Sequence, residues 1–209
     1  HPDPPIIIVG GGLAGLSCAR HLVEAGHPVL VLERDDEFGG RVRTDTFDGF
    51  QLDRGFQVLQ TAYPEAQQQL DYEALDLKSY TPGALIYKSG RFHRFIDPWR
   101  RPWDGIWSGL RSGIGTFGDR LRVANLRAKC KRGEIDDLFA IPEQSTWNSL
   151  VEFGFSSEMI ESFFRPFLGG VFLERELKTS NRMMMFVFRM FSQGDVAIPA
   201  RGMQAISQQ

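Results

Sequence analysis

The apolar positions begin with an unbroken run, Ile6-Ile7-Ile8-Val9, directly after Pro5. A β-branched run without alternation predicts a short strand over 5–9, covered on both faces as in a parallel sheet. The period then changes. Leu16, Ala19, Leu22 and Val23 recur at helical spacing and predict a helix over 13–25, with Gly26 as its natural stop. Pro28-Val29-Leu30-Val31-Leu32 is a second apolar run and predicts a buried strand ending at Glu33. Strand, glycine turn, helix and strand make one βαβ unit.

Past residue 60 this rhythm stops. Segments 84–87 and 91–96 read as a hairpin across Lys88-Ser89-Gly90. Residues 97–118 are loop-rich, with Pro98, Pro102 and five glycines, although Trp103, Trp107 and Leu110 are spaced for one face of a helix starting at Pro102. Helices are predicted over 119–131 and 146–153, the second ended by Gly154. Another is capped by Ser156 or Ser157 and runs to about Phe164, stopping before Pro166. Met183-Met184-Met185-Phe186-Val187-Phe188-Arg189-Met190-Phe191 is apolar all round and should be buried. It reads either as plain core or as the soft wall of a pocket for a greasy substrate. The predicted fold class is α/β, a βαβ unit followed by an α+β region.

The turn inside the βαβ unit is Val9-Gly10-Gly11-Gly12-Leu13-Ala14-Gly15-Leu16. Gly10, Gly12 and Gly15 match G-x-G-x-x-G, placed after a strand and before a helix, where its mechanism requires it. The first glycine permits the tight turn, the second lets a pyrophosphate approach the backbone, and the third lets helix and strand pack closely. The first-turn N–H groups of Leu13, Ala14 and Gly15 then face the phosphates with the positive end of the helix dipole. Glu33, with Arg34 beside it, stands at the next strand end. A carboxylate there accepts hydrogen bonds from both hydroxyls of an adenosine ribose and repels a 2′-phosphate. NAD and FAD both use such a unit.

The next stretches separate the two. Phe38-Gly39-Gly40-Arg41-Val42-Arg43-Thr44 sets two glycines and a cation just beyond the second strand, so that Arg41 can reach back to the pyrophosphate. Leu52-Asp53-Arg54-Gly55-Phe56 puts D-x-G at a strand end, where backbone can approach a flat ring. The bland alternative for Glu33 and Arg41 is ordinary surface charge.

With these motifs the sequence resembles the flavin-containing amine oxidases and, more closely, the phytoene-desaturase-like oxidoreductases. Gly55-Phe56-Gln57-Val58-Leu59 leans to the desaturase branch, because amine oxidases tend to carry a second glycine and a tryptophan after D-x-G. The resemblance implies FAD as cofactor, in a Rossmann-like, glutathione-reductase-like domain with an inserted α+β substrate domain. It implies Gly10, Gly12, Leu13, Ala14, Gly15, Glu33, Arg34, Gly39, Gly40, Arg41, Asp53, Gly55 and Phe56 as the FAD-binding set. The implied division is 1–60 for the first FAD segment, 61–195 for the substrate domain and 196–209 for the return. The stretches Arg165-Pro166-Phe167-Leu168-Gly169-Gly170-Val171-Phe172-Leu173 and Ile198-Pro199-Ala200-Arg201-Gly202-Met203 are also similar to the superfamily. There Arg201 stands where the family has a glycine. The resemblance further implies dehydrogenation of a hydrophobic, isoprenoid-like substrate, with amine oxidation as the alternative. A nucleotide-binding fragment without turnover is the alternative of another class.

Composition narrows this little. The chain has 209 residues, 42% of them hydrophobic and 24% charged, with net charge −2, which is ordinary globular usage and gives no reason to expect nucleic-acid binding. Cys18 and Cys130 have no paired spacing, so neither a disulfide framework nor a metal site is suggested, and a reducing, cytoplasmic setting is the default. Charge is uneven: residues 88–132 hold twelve Lys/Arg against three Asp, together with Trp99, Trp103 and Trp107. Tryptophan among cations suits either a helix that buries its rings or a peripheral contact with lipid headgroups. No apolar run approaches the ~18 residues of a membrane span, and no signal peptide is read. His1 in place of Met suggests a processed or engineered start, and the chain stops in mid-element at Ala205-Ile206-Ser207-Gln208-Gln209, as a piece of a longer protein would.

No side chain is singled out as catalytic. His21, on the first helix, His27, in a turn, and His93, in a basic strand, are weak candidates for a base. Hydride transfer to a flavin needs binding, alignment and exclusion of water more than it needs a base.

Overall fold

The structure is a computed structural model, and it describes residues 3–55, 57–101, 103 and 114–209. It divides into two compact units, 1–80 with 195–209, and 81–194.

In the first unit, β1 (Ile6–Val9) pairs in parallel with β2 (Val29–Leu32), register Ile6 to Val29, with α1 (Leu13–Glu24) as the connection. The expected cover on both faces is not found. Ile7 is 59% exposed, Val9 85% and Leu30 46%. Among the described elements α1 provides the main packing on this pair, and α1 itself has no fully buried residue. The predicted strands are therefore present, but their apolar side chains are left largely in solvent.

β3 (Thr44–Phe47) and β4 (Phe50–Asp53) follow as an antiparallel hairpin. Then come β5 (Leu59–Gln60), α2 (Pro64–Gln69) and β6 (Leu77–Ser79). The expected boundary at residue 60 falls instead after Tyr80, because β5 and β6 both pair with β9 (Val196–Pro199) in the order β5-β9-β6. A helical turn, Ala205–Gln208, closes the unit. Leu75, Met203, Ala205 and Ile206 form its small core.

The second unit starts with the hairpin β7 (Gly83–Lys88) and β8 (Arg91–Ile96), joined by Ser89 (φ 51°) and Gly90 (φ 78°). Two positive-φ residues suit the strand twist of a two-residue turn. Helices follow: α3 (Phe117–Cys130), α4 (Ile135–Ala140), α5 (Thr146–Glu152), α6 (Ser157–Met159), α7 (Arg165–Phe172) and α8 (Asn181–Gln193). Helix α3 starts two residues before the sequence expectation, since Thr116 is its cap and Asp119 completes a capping box.

The stop expected before Pro166 does not occur. A π-helical turn, Ile160–Phe164, joins α6 to α7, with the Arg165 amide bonded to the Ile160 carbonyl. Proline in a regular helix clashes with the carbonyl four residues back. The wider turn comes immediately before it, and the helix runs on to Phe172. The Met/Phe run forms α8, where Met184, Met185 and Met190 are buried and Met183 is not. With Phe164, Leu168 and Leu126, Met184 and Met185 belong to the main hydrophobic cluster, so these residues pack as core. Trp107 and Leu110 lie outside the described residues. Among the described residues no helix is long and apolar enough to cross a membrane.

Candidate functional site

The glycine turn forms because strand, turn and helix need three different backbones within a few residues. Gly10 sits at φ +101°, a conformation that side chains rarely adopt, and its amide donates to the Leu32 carbonyl at 2.8 Å. Gly12 is the N-cap of α1 in extended conformation, with no side-chain cap on the helix. The first-turn amides of Leu13, Ala14 and Gly15 therefore have no intrahelical acceptor. The two neighbouring glycines divide the work. A Cβ on Gly15 would fall on the Gly10 carbonyl oxygen, whereas a Cβ on Gly12 would meet nothing within 4 Å. Gly15 serves the packing of helix on turn. Gly12 opens onto free space beside uncapped amides.

The second glycine stretch lies against the first. The Gly39 amide donates to the Gly11 carbonyl at 2.8 Å, Gly12 and Gly39 form a parallel bridge, and a Cβ on Gly40 would come within 3.3 Å of the Gly12 Cα. Gly11, which the fingerprint leaves unspecified, must also be small, since its Cβ would fall on the Phe38 ring. The three consecutive glycines were the available signal for this contact.

Glu33 reaches the turn from the end of β2. Its Oε2 accepts the Gly11 amide at 2.5 Å, and its Oε1 accepts the amides of Arg34 at 2.7 Å and Asp35 at 2.9 Å. The Asp35 amide, then the Gly11 amide, hold this carboxylate below the usual range. A carboxylate has about four acceptor positions. Three are taken by backbone, so in this conformation a ribose would find the remaining one on Oε2, rather than a carboxylate free for both hydroxyls. Arg34 is exposed and pairs with Asp35 at 3.6 Å.

Arg41 is exposed, and among the described residues no ion pair holds its guanidinium. The Gln57 side-chain amide donates to the Arg41 carbonyl at 2.8 Å and to the Arg54 carbonyl at 3.1 Å, tying the two motif stretches by their backbones. Gly55 is at φ +97° with open space where a Cβ would stand. Phe56 lies outside the described residues. Asp53 is engaged by protein groups. Its Oδ1 accepts the Thr44 hydroxyl at 2.5 Å and the Met203 amide at 2.9 Å, so it fastens protein to protein. Sequence reasoning missed Thr44, Gln204 and Gly202, which converge here across more than 150 positions and leave no local pattern.

The sequence model described as flavin containing amine oxidoreductase matches residues 13–209. The chain belongs to that family. FAD is therefore its cofactor, and the open Gly12, the uncapped helix start and the close Gly12–Gly40 approach fit a dinucleotide held on bare backbone. Among curated relatives of this amine oxidoreductase chain, polyamine oxidase 2 of Arabidopsis thaliana is 50% identical over 53 residues, 25% of this chain and 11% of the relative. The 15-cis-phytoene desaturase of Synechococcus elongatus is 37% identical over 101 residues, 44% of this chain and 21% of the relative. In fold the chain is similar to an oxidoreductase from Methanosarcina mazei (TM-score 0.65, 20% identity, 97% of this chain and 47% of that one). It is likewise similar to putrescine oxidase bound to putrescine (TM-score 0.55, 22% identity, 98% and 49%). The chain thus spans about half the length of these solved proteins.

The histidines offer little further chemistry. His21 is exposed, its Nδ1 2.8 Å from the Ser17 carbonyl, and His93 is buried on β8. Burial pushes the Cys130 thiol up to about 12, which makes it a poor nucleophile. No cluster of three metal-ligating side chains occurs among the described residues.

Proposed function

We propose that the protein is an FAD-dependent oxidoreductase that dehydrogenates a hydrophobic, isoprenoid-like substrate, with a hydride passing from a substrate carbon to the flavin. On this reading the first unit is the N-terminal segment of a Rossmann-like, glutathione-reductase-like FAD domain, and the second is the inserted α+β substrate domain. The observation that carries the reading is the contrast between Gly15, filled by protein, and Gly12, open beside three uncapped amides.

Gly12 and the amides of Leu13, Ala14 and Gly15 bind the pyrophosphate, with Arg41 as the nearby cation. Glu33 accepts from the ribose and turns away a 2′-phosphate. Gly39, Gly40 and Gly55 keep the backbone low along the cofactor. Bound FAD supplies the two-electron acceptor, while the protein aligns the substrate and excludes water.

The hydrophobic substrate is supported by the extent of the likeness to phytoene desaturase, 101 residues against 53 for polyamine oxidase. The packing of the Met/Phe run as core removes one argument for a greasy pocket. Amine oxidation is the second reading, favoured by the 50% identity to polyamine oxidase across its shorter match. Reconstitution with FAD tests the first step, since protein without flavin absorbance would refute both readings. Turnover of polyenes with a dye acceptor supports dehydrogenation. Peroxide release with amines alone supports amine oxidation. FAD binding without turnover of any panel member leaves a nucleotide-binding unit.

A peripheral membrane contact belongs to the same proposal. Trp99 is 48% exposed with the Arg127 guanidinium 4.8 Å from its ring centroid, and Trp103 is 80% exposed. Cosedimentation with anionic vesicles, weakened in Trp103→Ala, is the expected result.

A further inference from the structure

The turn at 202–204 is fastened to both motif stretches at once. The Thr44 amide donates to Gln204 Oε1 at 3.0 Å, and the Gln204 amide donates to the Thr44 hydroxyl oxygen at 3.0 Å. That hydroxyl donates in turn to Asp53 Oδ1 at 2.5 Å, the oxygen that also accepts the Met203 amide at 2.9 Å. At its other end, Gln204 Nε2 donates to the Glu37 carboxylate, which also faces Arg43 at 3.8 Å. Gln204 is 6% exposed, so its own amide groups are largely shielded from water, where an unmade bond is costly, although its partner Glu37 reaches the surface.

Backbone geometry tightens the same joint. Gly202 is at φ +82°, and a Cβ there would stand 2.5 Å from the Thr44 hydroxyl oxygen. A Cβ on Gly39 would stand 2.7 Å from Ser207 Oγ. One side of the network therefore ends at Glu37 and Thr44, which bracket Gly39-Gly40-Arg41. The other ends at Asp53, two residues before Gly55.

We infer that Gln204 is a positioning residue for FAD: it sets the spacing between the Gly39–Arg41 stretch and the Gly55 loop without touching the cofactor itself. The inference rests on the FAD reading above. A neutral amide is the group the joint requires. Toward Thr44 it must accept, and toward Glu37 it must donate. A glutamate there would accept from Thr44 but would set a second carboxylate against Glu37.

The chemistry gives a reciprocal test. In Gln204→Glu both partners of the 37–204 contact are acceptors. In Gln204→Glu/Glu37→Gln the donor and acceptor change places, the Thr44 amide keeps an acceptor, and Arg43 keeps Asp36 at 3.1 Å. FAD is titrated into apoprotein of wild type, Gln204→Ala, Gln204→Glu and the double variant, well below each unfolding midpoint, and the visible circular dichroism of bound flavin is recorded. The expected result is a loss of about tenfold in FAD affinity with an altered flavin signal in both single variants, and recovery in the double variant. A merely structural role would lower the apoprotein's unfolding midpoint and leave the FAD dissociation constant unchanged. That outcome overturns the inference, as does a double variant that binds no better than Gln204→Glu. If Gln204→Ala does not fold, the comparison of Gln204→Glu with the double variant carries the decision. Wild-type protein that takes up no FAD overturns the underlying reading instead.

Discussion

Glu33 and Gly11 are joined across the mouth of the glycine turn, carboxylate Oε2 to amide at 2.5 Å, so the acid that marks the end of β2 also braces the loop beside the helix start.

Glu33→Gln should disturb both roles, because its NH₂ must face at least one of the amides that the carboxylate now accepts. FAD affinity is expected to fall about tenfold, in line with the loss of one charged hydrogen bond. The acid limb has a defined sign. Backbone amides, that of Asp35 foremost, lower this pKa in the folded state, so the carboxylate's contribution is complete above the usual carboxylate range and fades as pH falls below it. FAD titrations between neutral and acid pH check this. Affinity that rises on acidification would contradict it.

Gly12→Ala and Gly15→Ala should part company. The Gly12 site is open and its φ of −74° suits alanine, so the apoprotein should melt as wild type while FAD binding is lost. Gly15→Ala drives a methyl onto the Gly10 carbonyl and should lower stability by about 1–3 kcal/mol even without FAD. Paired thermal melts and FAD titrations separate the two, and equal apoprotein stabilities would count against this division of roles.

Asp119 is buried at the start of α3, where it accepts the amide and hydroxyl of Thr116 at 2.7 and 2.8 Å and those of Ser156 at 2.8 and 2.7 Å. Burial alone would raise its pKa. The Ser156 and Thr116 amides and hydroxyls outweigh that and hold it at about 2, against 3.8 for an ordinary aspartate. The folded value is the lower one, so the stabilisation is full above about pH 4 and is lost as pH falls toward 2, amounting to about 2 kcal/mol at about 1.4 per pH unit. Urea melts of wild type and Asp119→Asn should differ at pH 7 and converge near pH 2.

The β3–β4 hairpin places Phe47 opposite Phe50, 67% and 70% exposed. Together with Val9 on β1, this predicts that the 209-residue chain prepared alone self-associates as its concentration rises. Light scattering should show this, and Phe47→Lys with Phe50→Lys should reduce it.

Much of the architecture is written locally. The βαβ unit, the Lys88–Arg91 turn and the Ser156 cap each declare themselves within a few residues, because turns and caps depend on the residue that occupies them. The stop expected before Pro166 failed for an equally local reason: one π turn makes room that a regular helix lacks, and no residue type announces it. The glycines of the candidate site were legible through backbone conformation. Asp53 was legible as a strand-end acid, but its partners were not: Met203 lies 150 positions away, and Thr44, nine positions back, meets it only through the register of the β3–β4 hairpin. Burial of β1 and β2 was misjudged because a pattern reports what a strand can cover, and the covering has to come from another element.

The strand order β5-β9-β6 has a consequence for the time course of synthesis. β9 emerges from the ribosome after the whole of 81–194, so β5 and β6 wait without the strand that separates and pairs them. The inserted unit, rich in short-range helical contacts, can reach its native state first. The sheet of β5 and β6 therefore closes only after the insertion has emerged, and a nascent chain stalled before Val196 would carry a folded insertion behind two strands that still lack the one that joins them.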